Sequence, residues 1–554
     1  MTGNEQQFEF LGKMERQTFT WGRSGNRIRR TERWVERLWV LGLLLAALLL
    51  FGINLGSIPL QDWGEGTVAL IAREIARVPV ESWQWLYPKL ADKPYLEEPP
   101  LLHSLIAGAY KLGGINTWTT RLPGAILSAV SVPLLYGIGR EIFPSRQSAI
   151  FSSLIYLTLL PVACQGRLAM VDGTALCFVM LMMWSMLRSR RDLRWALGAG
   201  IGLGLICLTK GILLGVLFLA IALLFLNWDT PRLLSSAYWW SGLLLGCAPV
   251  VTWYAAGMLQ YGLTFIAIGY VNHFLGSVWT PIVSPSTSPW YYLVELLKFA
   301  IPWLLFWPYG LRLAWESRNW SWAKLVLVWA GVCLVVIAMR VTQLPWFVLP
   351  VYPVLALAGG AKLAQVWNWS SRKSYPRLWR SGLSFLAVGA IALSLYFGIL
   401  ETADHSLAVI FAAVALTMAM AAVLVARRDL QFIFILFWGS YISLLLFMTT
   451  PYWVGEWKNA YPVEPVATIL QRATPEDQTI YTSFPYIRPS LNFYSDRQVI
   501  PASTWELKQR WEQEKHPYFL IESEVLNQLS LDAARQVDSA QGWVLITKNI
   551  DRSI

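Results

Sequence analysis

Carboxylates crowd one stretch of this chain: Asp62, Glu65, Glu74, Glu81, Asp92, Glu97 and Glu98, with Asp172 alone between two apolar runs. An ionised side chain beside hydrocarbon is costly, so its placement carries information. Asp62 and Glu65 follow the first long apolar run. A carboxylate there can take the proton from an acceptor hydroxyl as a general base, or anchor a metal. It can equally cap the helix that follows. Cations are fewer: Lys210 in Leu-Thr-Lys-Gly, Arg167 and Arg340. Each suits a phosphate or pyrophosphate leaving group. Each can instead be a long side chain snorkelling to the headgroups. Arg121, at a helix start before Leu-Pro, reads as structural. His273 falls in a polar loop and, paired with Glu97, can bind a divalent metal such as Zn, Mg or Mn; a lone loop histidine more often binds nothing. His103, His405 and His516 have no evident partner. No Walker loop, GxGxxG, GxSxG or HExxH stands in a usable context.

The elements that must position these groups are membrane spans. Of the 554 residues, 55% are hydrophobic and 14% charged. A soluble domain cannot hide that much apolar surface. Apolar runs of about 20 residues, the length that crosses a bilayer, recur along the chain, and we expect about 13 spans. They lie near 36–55, 121–139, 148–164, 174–187, 195–209, 211–226, 238–256, 291–310, 324–339, 346–363, 382–400, 405–425 and 431–449. The formal charge of +11 sits in short clusters between the runs. That is the pattern of the positive-inside rule rather than of a nucleic-acid surface. It places the basic tail 1–37 in the cytoplasm and leaves outer loops at 56–120 and 257–290.

The last segment, 451–554, holds more Asp and Glu than Lys and Arg. Short β-like runs (Thr479–Phe484, Tyr518–Glu522, Trp543–Thr547) alternate there with helix-like ones. The expected architecture is an α-helical polytopic membrane core over 38–450 with a small α/β domain on the outer side. The five cysteines lie in or beside apolar runs without a CxxC pair and read as inert thiols.

The order of motifs is similar to that of the GT-C superfamily of membrane glycosyltransferases, in the branch of the protein O-mannosyltransferases and the lipid A aminoarabinose transferases (glycosyltransferase family 39 and its relatives). Asp62-Trp-Gly-Glu65 resembles the family's acidic motif, and Tyr95-Leu-Glu-Glu-Pro-Pro-Leu101 its "YFEKPPL" signature. Arg121-Leu-Pro, Arg167-Leu-Ala-Met-Val-Asp172 and Leu208-Thr-Lys-Gly211 match in order. So do Gln343-Leu-Pro-Trp-Phe-Val-Leu-Pro-Val-Tyr-Pro353 and, in the tail, Arg488-Pro-Ser-Leu-Asn-Phe-Tyr-Ser-Asp-Arg497.

The resemblance implies a catalytic acid in the first outer loop, a polyprenyl-phosphate sugar donor and an acceptor at the outer leaflet. It also implies that Glu97 and His273 can hold a metal. Two departures stand out: the family's adjacent Asp-Glu is split here by Trp63 and Gly64, and its "EKPP" lysine is Glu98.

The expected chemistry is transfer of a sugar from a polyprenyl phosphate to a lipid, glycan or protein. Asp62 or Glu65 would be the base, and Lys210, Arg167 and Arg340 would hold the donor phosphate. Asp172, Glu98 and Trp346 would line the pocket, with Trp63, Trp85 and Trp290 along a sugar path. The rival is a transporter or lipid flippase, which calls for polar groups at the bilayer midplane and paired broken helices.

Overall fold

The computed structural model describes residues 25–90, 93–267, 290–339, 344–369, 374–399, 404–454, 463–476, 478–529 and 531–549. His273 and Arg340 lie outside the described residues.

Helix α1 (Gly25–Gly52) opens the membrane core. The first loop then makes a π-turn at Asp62–Gly66, and α2 (Thr67–Arg77) follows without a break. The amphipathic pattern of α2 buries Val68, Ile71, Ala72 and Ile75 and leaves Glu74 and Arg77 outward. A two-residue ribbon, β1 (Lys89–Leu90) and β2 (Lys93–Pro94), leads to α3 (Leu101–Gly113). Neither α2 nor α3, at 11 and 13 residues, is long enough to cross a bilayer.

Helix α4 (Thr117–Ile142) starts at a capping box in which Asn116 and Thr119 satisfy each other's backbone N–H. A bent pair follows, α5 (Arg146–Leu157) and α6 (Leu160–Arg167), with 61° between them. Then come α7 (Val171–Arg188), α8 (Trp195–Lys210), α9 (Ile212–Asp229) and α10 (Ala237–Tyr261). Helices α8 and α10 cross through Gly200, Gly204, Gly242 and Gly246. A Cβ added to Gly200 would lie 1.8 Å from the Gly242 carbonyl oxygen, so only glycine permits this approach. That crossing fixes α8, which carries Lys210 at its end.

The second half contains α11 (Tyr291–Phe299), α12 (Trp307–Glu316), α13 (Ser321–Ala338), α14 (Tyr352–Trp367), α15 (Arg377–Ile399), α16 (His405–Ala426) and α17 (Phe432–Met448). Among the described residues nine helices are long and apolar enough to span, or ten with the bent pair counted as one. Helices α8 and α17, at 16 and 17 residues, are shorter apolar helices. The expected span at 291–310 is not one helix. Pro302 lacks an N–H to continue α11, a single 3₁₀ turn at Trp303–Leu305 intervenes, and α12 starts afresh around Pro308.

One end of the bundle is laced by ion pairs. Glu36 meets Arg140 and Arg146 at 3.0 Å each, and Asp229 meets Arg190 at 3.0 Å and Lys324 at 3.3 Å. The opposite end carries the first loop and the tail domain. That domain comprises α18 (Val463–Ala473), β3 (Ile480–Thr482), α19 (Pro489–Ser495), β4 (Val499–Pro501), α20 (Thr504–Gln513), β5 (Tyr518–Glu522), β6 (Ala534–Ala540) and β7 (Trp543–Lys548). Its sheet has the order β4-β3-β5-β7-β6, with β4-β3-β5 parallel and the rest antiparallel. Alternating side chains put Ile480, Leu520 and Leu545 on one face and Tyr481, Phe519 and Val544 on the other, each under its own helices.

Candidate active site

A cavity of about 1160 Å³ lies where the first loop, the core and the tail domain meet. It is larger than the few hundred to about 1000 Å³ usual for small-molecule sites. Its membrane side is apolar, with Leu213, Leu214, Leu217, Val336, Ile337 and Phe347. Its other side carries Glu97, Glu98, Asp172 and Lys210, and Trp346 also lines it. Tyr486, Ile487 and Pro489, which follow β3, form part of the wall.

Lys210 ends α8, where the carbonyl end of a helix favours a cation, and Asp172 stands in the first turn of α7, where the amide end favours an anion. The two meet: Lys210 Nζ is 2.8 Å from Asp172 Oδ2, and Glu98 Oε1 is 3.9 Å from the same Nζ. One ammonium thus faces more than one carboxylate. Burial pushes the Glu98 carboxyl up to about 7; Lys210 pulls it down, while Asp172 and Glu97 push it further up. Behind this wall Tyr95 makes an edge contact with His103, whose rings are 5.9 Å apart. Burial lowers the His103 imidazole to about 4, so it is neutral at ordinary pH.

Asp62 sits between Gln61 and Gly64, both of which line the cavity. Its carboxylate is held by the tail domain. Arg488 donates from Nε to Oδ2 (2.8 Å), with Nη2 at 2.7 Å from the same oxygen, and Ser490 Oγ donates to Oδ1. The approach requires Gly66, where an added Cβ would lie 2.7 Å from the Ser490 backbone nitrogen.

Glu65 has a different environment and is corrected here. It is fully buried. Oε1 accepts from Arg121 Nε (2.7 Å) and the Ala169 N–H (2.9 Å); Oε2 accepts from Arg121 Nη2 (2.6 Å) and the Gln61 N–H (3.2 Å). A carboxylate has about four lone-pair sites, and all are filled, so no acceptor hydroxyl can bind. Arg121 gives its remaining N–H groups to the carbonyls of Leu55, Ile58 and Pro59. The pair pins the first loop to the start of α4, the structural role expected for Arg121.

Arg167 is corrected as well. It is fully buried and donates to the carbonyls of Leu50 (2.9 Å) and Ile53 (2.6 Å) at the end of α1. Its guanidinium lies 4.3 Å from the centroid of the Trp453 ring. It satisfies carbonyls that a helix end leaves open, and it does not line the cavity.

The structure therefore brings Lys210, Asp172, Glu98, Glu97 and Trp346 to one cavity, with Asp62 at its edge. Trp85 and Trp290 do not line it, and the side chain of Trp63 lies outside what is described. Among the described residues no group of three metal-ligating side chains occurs. Glu97 lines the cavity, and His273 lies outside the described residues. Sequence reasoning passed over Arg488 and Ser490. Both stand in the tail motif that carries the family resemblance, but nothing local signals that they reach a residue more than 400 positions away.

Residues 97–255 match the family model described as dolichyl-phosphate-mannose-protein mannosyltransferase. An undecaprenyl phosphate-alpha-4-amino-4-deoxy-L-arabinose arabinosyl transferase of Pseudomonas fluorescens is 28% identical over 346 residues, which is 59% of this chain and 60% of that protein. Its counterpart in Pseudomonas aeruginosa is 26% identical over 58% of this chain and 59% of its own length. The matched region thus spans about three fifths of these relatives. The crystal structure of ArnT from Cupriavidus metallidurans bound to undecaprenyl phosphate superposes with a TM-score of 0.75 at 19% identity. It covers 92% of this chain and 98% of that one. The apo form of the same protein gives 0.74. The chain thus shares the fold of these ArnT structures, and its residues 97–255 resemble the mannosyltransferase family model.

Proposed function

We propose that this protein transfers a sugar from a polyprenyl-phosphate donor to an acceptor hydroxyl at the outer face of the inner membrane. One observation carries the reading: a single cavity joins an apolar wall that fits an isoprenoid chain to a polar end containing Lys210. The names of the relatives support a polyprenyl phosphate as carrier. The basic loops support a cytoplasmic N-terminus, and the reading takes the tail domain to lie outside. The transporter reading is not favoured, because the ionisable groups of the cavity gather at one end beside the first loop.

In the proposed reaction Lys210 binds the donor phosphate, leaving Asp172 to hold the ammonium in place. The acceptor oxygen attacks the anomeric carbon as the bond from that carbon to the phosphate oxygen breaks. The electron pair leaves with the phosphate, whose added charge Lys210 stabilises. Asp62 takes the acceptor proton. Direct displacement inverts the anomeric centre. Lipid A, another glycan or a protein is the acceptor class. A divalent metal at Glu97 would add positive charge at the polar end of the cavity.

Purified protein is offered a panel of polyprenyl-phosphate sugars with glycolipid and peptide acceptors. Transfer of at least one sugar, lost in Lys210→Met and in Asp62→Asn, is expected. No transfer from any donor, or full activity in both variants, overturns the proposal.

A further inference from the structure

The proposed base takes its orientation from another domain. Asp62 lies in a π-turn, and its hydrogen bonds come from Arg488 and Ser490, 426 and 428 positions away. Of about four lone-pair sites on a carboxylate, Arg488 takes one on Oδ2, through Nε with Nη2 close beside it, and Ser490 takes one on Oδ1. One site on Oδ1 remains for an incoming hydroxyl. The guanidinium itself cannot wander: Arg488 is buried and packs 5.0 Å from the centroid of the Phe484 ring.

The helix that presents these donors is also tied down. The Leu60 N–H donates to Tyr494 Oη (2.9 Å), which is 2.8 Å from Thr117 Oγ1. Arg73 donates to the carbonyls of Asn492 (3.3 Å) and Phe493 (3.1 Å), and Asp496 pairs with Arg73 at 2.9 Å and Arg77 at 2.8 Å. Docking is thus supplied by α2, α4 and the loop before the π-turn. Arg488 and Ser490 add to these a contact on the Asp62 carboxylate itself.

We infer that Arg488 and Ser490 are positioning residues of the tail domain that hold Asp62 with its open lone pair toward the acceptor hydroxyl. The inference rests on the transferase reading above. Arg488 does not touch the reacting atoms. A rigid guanidinium on Oδ2 together with the Ser490 hydroxyl on Oδ1 fixes both oxygens and so the carboxylate plane; an ammonium on a flexible stem holds Oδ2 less firmly.

The test uses the full-length protein with a donor that the wild type turns over. Arg488→Ala is expected to lower kcat about 10- to 100-fold, the size of effect that misplacing a reacting group produces. The donor KM should stay within about twofold, because the phosphate site is untouched. Arg488→Lys should recover only a small part. Asp496→Asn, which loosens docking without touching Asp62, should keep kcat within about threefold. The double variant Asp62→Asn with Arg488→Ala should be no slower than Asp62→Asn, since the two act as a unit.

Unchanged kcat in Arg488→Ala overturns the inference while leaving the transferase reading intact. So does an increase, which would make the tail a mask over Asp62. An equal loss in Asp496→Asn also overturns it, by making the contact one of docking. A wild type that transfers no sugar removes the transferase reading and this inference with it.

Discussion

Lys210 Nζ and Asp172 Oδ2 stand 2.8 Å apart across the ends of two neighbouring helices. Each residue is also stabilised by the helix that carries it, a cation at a C-terminal end and an anion at an N-terminal end. The arrangement holds an ammonium in position at the polar end of the cavity, with Asp172 and Glu98 beside it. In the proposed function a donor phosphate would join these carboxylates at a cation already in place.

Lys210→Met is therefore expected to raise the donor KM at least about tenfold, since hydrogen bonds to charged groups are worth about 1.5–3 kcal/mol. Asp172→Asn should have a smaller effect on KM. Isothermal titration with the polyprenyl phosphate alone checks both without turnover. Equal affinity in wild type and Lys210→Met would remove Lys210 from the phosphate site.

Glu65→Ala is expected to damage the fold rather than the chemistry. It leaves the Arg121 guanidinium buried and without its carboxylate, a loss of about 3–5 kcal/mol for a broken buried pair. Thermal unfolding in detergent should show a large drop in Tm. A variant with wild-type Tm and no activity would restore Glu65 as a candidate base.

Glu98 makes stability depend on pH. Its folded-state value of about 7 lies above the ordinary 4.5. The native state therefore binds more protons than the unfolded state between those values. Stability should be greatest below about pH 4.5 for this group alone and fall as pH rises through about 7. Glu98→Gln should flatten that part of the Tm-against-pH curve. An unchanged slope would assign the dependence to other groups.

Gly66→Ala should loosen the tail domain. The new Cβ would meet the Ser490 nitrogen at 2.7 Å and the Gln61 oxygen at 3.1 Å, and backbone on both sides must move. Limited proteolysis is expected to release the region after residue 454 faster than in wild type, with the membrane core intact. Equal rates would mean that the docking tolerates a methyl group.

The membrane architecture was legible because burying apolar surface leaves a periodic and lengthy trace. The span at 291–310 misled for the same reason: composition sees the apolar run but not the missing N–H of Pro302. At the site, Lys210, Asp172 and Glu98 could be read from charge placed beside hydrocarbon. Glu65 could not be told from Asp62, since both are carboxylates following one span. What separates them is the partner, Arg121 in one case and Arg488 in the other, and pairings across 56 and 426 positions leave no local pattern. Arg167 was misassigned likewise, because a buried arginine that closes a helix end looks the same in sequence as one that binds phosphate.

The separation between Arg488 and Asp62 also bears on biogenesis. The first loop leaves the ribosome long before the arginine is translated. Until the tail domain has folded, the carboxylate lacks the hydrogen-bond donors that Arg488 and Ser490 supply. A half-made chain therefore holds the Asp62 turn without the contacts that orient its side chain.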